Sequence, residues 1–411
     1  MSLRNPDNSV EIPSLANMDP VLKWHNLSCE LVTPMYGGGV KSVVVDEQMP
    51  IRTSSIRGQL RFWWRLLATN KWQLGTDQEI QQQEFSLWGG MGSGNDDGTA
   101  GQVFLRVYDV PSSSKIRQSL IDYDDNSLSQ LKYVLFPAYN ETDPALQPHK
   151  LLKPEISWKL SFAFSPLLEK DNSRKEQVIE TLQWWASFGG LGFRSRKGLG
   201  SVRVTESTDY PHIADLPSPD EISSANCHLI QRNSTTSALS ALQTAITKLS
   251  GFRQSPGVGR NPGQQNNRPG RSRWPEPDAI RRINNTHHSD HAPEHLAGNV
   301  FPRAVFGMPI LFPFVGRNEP SGDNTVSPAQ GERLASPLIL RAVYAGDDKD
   351  GKAQWCPSAL ALPYQHILDM QVNVGRHEYP VWKSDTVEHT RPISENGGQD
   401  PIQAFLTYFV K

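Results

Sequence analysis

The chain has 411 residues, enough for two or three domains that each bury a core, and 41 Lys and Arg against 43 Asp and Glu leave a formal net charge of −2. With no chain-wide basic excess any polyanion site must be local, and no apolar run is long enough to suggest a membrane span. The opening "MSLRNPDNSVEIPSLANMDP" lacks a basic-then-apolar leader pattern and predicts a cytoplasmic protein, while the scattered Cys29, Cys227 and Cys356 argue against a disulfide framework and a cysteine zinc site.

In chain order, "KWHNLSCELVTP" alternates Leu27, Cys29 and Leu31 against Ser28 and Glu30, a strand ended by Thr33-Pro34. His25 opens it without a visible Ser, Cys or second His partner, as a satisfied strand histidine would. A glycine loop, "MYGGGVKS", follows with Lys41, and beyond it Asp46 and Glu47. Two such acids could in principle orient a ribose 2′-OH or hold Mg²⁺, although loop acids are usually just solvated. Next, "SSIRGQLRFWWRLL" predicts a helix. Leu60, Trp63, Trp64 and Leu67 have the spacing of a face that packs on a sheet, and Arg57, Arg61 and Arg65, four apart, form one stripe. Ser54 or Ser55 can cap its start, and Gly58 could admit a second backbone. The stripe reads either as a fork-donor ladder suited to phosphate or as a solvated basic edge.

"GQVFLRVYDV" and "EISWKLSFAF" read as strands, and "SRKEQVIETLQWWASF" as a helix with Val178, Ile179, Leu182, Trp185 and Phe188 inward. It runs into "GGLGFRSRKGLGSV", which ends in a short strand. The order β-α-β-β-α-β predicts a ferredoxin-like domain over about 20–208. In the loop, five glycines surround Arg194, Arg196 and Lys197, a combination suited to a nucleic-acid backbone that the loop amides and the cations would meet together. Lys197 precedes Gly198, so the order of a nucleotide-hydrolase phosphate loop is absent.

From about 209 to 411 a second α+β domain is expected, with "CHLIQ", "FPRAVFGMPILFPFV" and "SPLILRAVYA" as buried strands and "SALSALQTAITKL" and "PIQAFLTYFV" as helices. Within it a flexible basic insertion spans about 251–298. Its part "GFRQSPGVGRNPGQQNNRPGRSRW" has five arginines and no acid, too polar to build a core and expected to order only on a partner. His287, His291 and His295 have the spacing of a zinc-binding helix face, but Pro293 interrupts that helix and a solvated loop is the plainer reading.

Together, "LVTPMYGGGV", "MPIRTSSIRGQLRFWWR", "LWGG" and "GGLGFRSRKGLGS" resemble the RAMP superfamily of CRISPR-associated proteins, most specifically the first RAMP subunit of type III-B (Cmr) RNA-guided effector complexes. The later "WPEPDAIRRI", "FPRAVFGMPILF" and "ERLASPLILRAV" resemble the C-terminal half of its longer members, and Thr53-Ser54 stand where a proline is common. The resemblance implies an α+β chain of two ferredoxin-like domains in a cytoplasmic ribonucleoprotein, with no cofactor and no catalytic role. Its place is near the 3′ end of the guide RNA, among other RAMP subunits, where it helps capture single-stranded target RNA. Carried over by motif, Arg57, Arg61, Arg65, Arg194, Arg196 and Lys197 are the RNA-contact candidates. Lys41 and Arg52 join them from the flanking loop, and Arg260, Arg271 and Arg273 from the basic insertion. The competing expectation is a ribonuclease of the same fold, using Asp46 and Glu47 with metal, or His25 without it. An isolated histidine falls short of the acid and base such cleavage needs.

Overall fold

The computed structural model describes residues 22–40, 43–90, 98–139, 149–262, 272–288, 291, 293–322 and 324–411. Its first half runs β1 (His25–Leu31), β2 (Met35–Tyr36), α1 (Thr53–Asn70), α2 (Asp77–Trp88), β3 (Val103–Tyr108), α3 (Ser113–Gln118), β4 (Leu120–Asp122), α4 (Lys132–Tyr139), β5 (Lys150–Leu152), β6 (Ser157–Phe164), α5 (Asn172–Phe188) and β7 (Val202–Ser207). The second half runs α6 (Pro219–Ser224), β8 (His228–Gln231), α7 (Ala238–Gln254), α8 (Glu276–Ile283), β9 (Ile310–Leu311), β10 (Thr325–Pro328), β11 (Leu338–Asp347), β12 (Ala353–Ala361), α9 (Gln365–Leu368), β13 (Gln371–Val374), β14 (His377–Pro380), α10 (Arg391–Ser394) and α11 (Pro401–Val410).

The first sheet has the order β3-β6-β1-β7, every neighbour antiparallel. This places the second, third, first and fourth strands of a β-α-β-β-α-β unit side by side, the ferredoxin-like arrangement. Alternation decides which face is buried: Leu27, Cys29, Leu160 and Phe162 are almost fully covered on the side where α1 and α5 lie. The helices meet through Trp63, whose ring centroid is 5.8 Å from that of Trp184. Asp171 caps α5 by accepting from the Arg174 amide at 3.1 Å. α1 begins differently from the expectation. Thr53 is its first residue, Ser54 and Ser55 lie inside the first turn, and no side chain caps it. Gly58 meets nothing within 4 Å, so no second backbone approaches there.

The second half repeats the theme with a smaller sheet, β11-β12-β8, also antiparallel, on which α7 packs with α11 against it. Two further sheets, β14-β13-β10-β9 and β2-β5-β4, flank these. Two expectations are corrected. "FPRAVFGMPILFPFV" forms a 3₁₀ turn at Pro302–Phe306 and only the two-residue β9, because Pro302, Pro309 and Pro313 remove the donors a longer strand needs. The described parts of the basic insertion are packed rather than loose: α7 continues to Gln254, Phe252 and Trp274 are buried, and α8 is held by Arg281 on Asp278 (2.8 Å) and Glu319 (2.9 Å). Asp278 within the insertion and the more distant Glu319 and Glu395 supply the partners that residues 251–274 themselves lack.

Candidate nucleic-acid interface

The loop after α5 is built by clipping to the loop after β1. The Phe193 amide donates to the Tyr36 carbonyl at 2.6 Å and the Gly200 amide to the Pro34 carbonyl at 2.8 Å. Thr33 Oγ1 donates to the Gly198 carbonyl at 2.7 Å while accepting from the Ser201 amide at 2.8 Å. Such close approach needs glycine: at Gly192, φ +75°, a Cβ would sit 2.5 Å from the Tyr36 carbonyl oxygen. Lys197 and Gly198 donate their amides within the loop, to Arg194 and Ser195. With these amides engaged, the expected backbone cradle for phosphate is reduced, and the cations are what the loop offers.

Arg194 sits at φ +61° and reaches over the Phe136 ring, 4.8 Å from its centroid. Arg196 lies 4.8 Å from the Phe62 centroid and donates to the Ser336 carbonyl at 2.6 Å. Lys197 donates to Ser336 Oγ at 3.1 Å. It keeps some surface exposure, yet burial, followed by the charges of Arg253, Arg194 and Arg196, pushes its ammonium down to about 7. Arg253, at the end of α7, donates to the Tyr133 hydroxyl at 2.9 Å, and Arg333 adds positive charge beside Arg194. Among the described residues, Arg194, Arg196, Lys197 and Arg253 form no ion pair with a carboxylate. A cavity of about 180 Å³ opens between Arg196, Phe62, Gln59, Ser195 and Ile339. Behind it, Arg341 of β11, buried, binds the Ala186 carbonyl at 2.9 Å and those of Gly189 and Val202, which joins the two halves.

The other sequence candidates stand elsewhere. The α1 stripe faces α2: Arg61 and Arg65 reach Glu84 Oε1 at 2.5 and 2.7 Å, and Arg57 donates to the Trp88 carbonyl at 3.1 Å. Arg61 also donates to the Gly89 carbonyl at 3.1 Å. Glu84 is buried, whereas Arg65 remains half exposed at the mouth of an open groove. Arg52 donates to the Gly38 carbonyl, which ties the start of α1 to the first glycine loop. Arg273 is buried in contact with Glu395 and the Gly257 carbonyl, so it is a packing residue, and Arg260 is half-buried in the turn beside it. Lys41 and Arg271 lie outside the described residues.

Asp46 accepts from the Gln48 and Met49 amides at 2.9 and 3.0 Å, and Glu47 pairs with Arg117 at 2.7 Å. His25 has a partner that its sequence neighbours did not betray: Nδ1 lies 2.6 Å from Asp209 Oδ2. Among the described residues no three potential ligands are placed to hold a metal. His291 faces Glu319 at 3.5 Å and His295 Nε2 lies 3.1 Å from the Arg273 carbonyl. Burial lowers the pKa of both imidazoles. Sequence reasoning missed Arg253, Arg333 and Arg341. For Arg341 a signal was present, a lone charge inside the apolar "SPLILRAVYA", since buried arginines are rare unless bonded.

Residues 28–203, which hold most of the four-stranded sheet and both glycine loops, match the family model of the RAMP superfamily. Among curated proteins the chain is similar to two from Pyrococcus furiosus. With CRISPR system Cmr subunit Cmr1-1 it shares 28% identity over 171 residues, 40% of this chain and 44% of that protein. With Cmr1-2 it shares 26% over 185 residues, 43% of this chain and 91% of that protein. The match thus spans under half the length of the first relative. A crystal structure of Cmr1 from the same organism, in apo form, aligns with a TM-score of 0.46 at 14% identity, covering 84% of this chain and 89% of that one.

Proposed function

We propose that this protein is an RNA-binding, non-catalytic subunit of a type III-B CRISPR effector complex. It would lie near the 3′ end of the guide RNA, contact other RAMP subunits and help capture single-stranded target RNA. The observation that carries this reading is the seam cluster: Arg194, Arg196, Lys197 and Arg253 converge, among the described residues without a carboxylate to neutralise them, beside two aromatic rings. Such a cluster is unfavourable alone and is relieved by a polyanion. The motif resemblance to subunits of RNA-guided effector complexes, with which the similarity to two CRISPR Cmr subunits agrees, favours RNA among polyanions.

The ribonuclease alternative is less well supported, because Asp46 and Glu47 are engaged by amides and Arg117, and His25, paired with Asp209, is buried away from the surface where a ribose 2′-OH would have to reach it. The test is binding and integrity of labelled single-stranded and guide-precursor RNA, with and without Mg²⁺. Arg194→Ala should weaken binding and lower the salt-dependence slope by about 1, as for one lost phosphate contact. Intact RNA at saturation is expected. Unchanged affinity in Arg194→Ala, or product bands that vanish in His25→Ala or Asp46→Ala, would overturn the proposal.

A further inference from the structure

The face of the first sheet opposite α1 and α5 carries side chains of a different chemistry. Alternation sends Asn26 and Ser28 of β1, Lys159 and Ser161 of β6, and Phe104, Arg106 and Tyr108 of β3 to this side. Register places Arg106 opposite Ser161 and Tyr108 opposite Lys159. Trp24, just before β1, completes the group: the Arg106 guanidinium lies 4.2 Å from its ring centroid and 5.4 Å from that of Tyr108. The polar side chains are interlinked. Tyr108 Oη and Ser161 Oγ both donate to Asn26 Oδ1, at 3.1 and 2.6 Å, and Lys159 Nζ donates to Ser28 Oγ at 2.6 Å.

Two features set this face apart from an ordinary solvated sheet. Among the described residues, neither Arg106 nor Lys159 has a carboxylate partner, whereas the nearby Arg203 is paired with Glu30 at 3.2 Å. Arg106 is also exposed while held between two aromatic rings, so its planar fork is fixed in orientation with its N–H groups available. A cation on an aromatic platform, beside amide and hydroxyl groups, fits a ligand that is planar and negatively charged in alternation. Single-stranded nucleic acid is such a ligand: bases stack on aromatic or guanidinium planes, phosphates meet the cations, and the antiparallel sheet holds the platform rigid.

We propose that the Trp24–Arg106–Tyr108 platform is a second contact site for single-stranded RNA, separate from the glycine-loop seam, at which one or two bases stack and Arg106 and Lys159 meet the intervening phosphate. The site adds base-stacking affinity to the electrostatic binding of the seam, and depends on the RNA-binding reading only for the identity of the nucleic acid.

The test uses the full chain with a fluorescein-labelled 20-nucleotide single-stranded RNA of mixed sequence and its abasic counterpart, alongside 4-thiouridine crosslinking mapped by peptide mass. Trp24→Ala and Arg106→Ala are each expected to lower affinity about fivefold to tenfold, the loss typical of one stacked base. That loss should shrink with the abasic RNA, Trp24→Phe should recover most of it, and crosslinks should fall within 22–28 or 103–108. The thermal midpoint separates lost binding from lost folding. Full affinity in folded Trp24→Ala and Arg106→Ala would overturn the site, including the outcome in which these variants instead impair association with a neighbouring subunit. If Arg194→Ala still loses affinity in that case, only this inference falls; if neither set matters, RNA binding falls as well.

Discussion

Lys197 is the residue at which protonation and ligand binding meet. Its folded pKa, about 7, lies well below the usual lysine value of about 10.4, so between these limits the unfolded chain holds more protons than the folded one. Stability should therefore rise as pH climbs from about 7 to 10, and chemical denaturation across that range should show the rise flattened in Lys197→Met. A phosphate beside the ammonium would restore its charge, making RNA binding proton-linked, with affinity falling over the same interval in the parent and less so in Lys197→Met. Arg341 acts without titrating near neutrality: its fork holds the carbonyls of Ala186, Gly189 and Val202. Arg341→Met leaves those acceptors unpaired in a buried place, at a cost on the order of 3 kcal/mol by urea denaturation. Arg341→Lys should recover only part of it, because an ammonium cannot reproduce the fork.

Helix α1 shows how far a pattern carries and where it stops. Spacing alone located the buried face, and Leu60, Trp63, Trp64 and Leu67 are all fully covered. The same spacing grouped Arg57, Arg61 and Arg65, but what those cations meet was decided by α2, whose Glu84 is nineteen or more residues away in sequence. A single acid in "QQQEFSLW" carries no sign that it will be buried under two arginines. The residues of α1 should therefore separate experimentally. Trp63→Ala, which removes the contact with Trp184 and Phe188, should cost about 3 to 5 kcal/mol of stability. Gly58→Ala fills open space on a helix and should raise stability by about 0.5 to 1 kcal/mol. A thermal midpoint lowered by Gly58→Ala would contradict the open surroundings of that position.

At the scale of the whole molecule, the two halves are continuous in their packing although the sequence reads as two units. The succession of strands and helices in the first unit was legible because β1 and β6 alternate clearly on their own, and the sheet order then agrees with the ferredoxin-like layout. The seam was not, since it depends on partners far apart in the chain: Ser336 for Arg196 and Lys197, and α5 for Arg341. The core around α7 and α11 also takes Tyr36, Leu131, Leu135, Leu151 and Leu199 from the N-terminal half. The proposed boundary between residues 208 and 209 therefore divides the chain but not its packing. The full chain should unfold in one transition, with far-ultraviolet and tryptophan signals coinciding. Residues 22–208 expressed alone would expose those apolar side chains and lose Arg341 from the end of α5, so a broad, non-cooperative melt is expected, with cooperativity returning on co-expression with 209–411. A sharp melt of the isolated N-terminal fragment, at the midpoint of the full chain, would mean that the shared core contributes nothing to its stability.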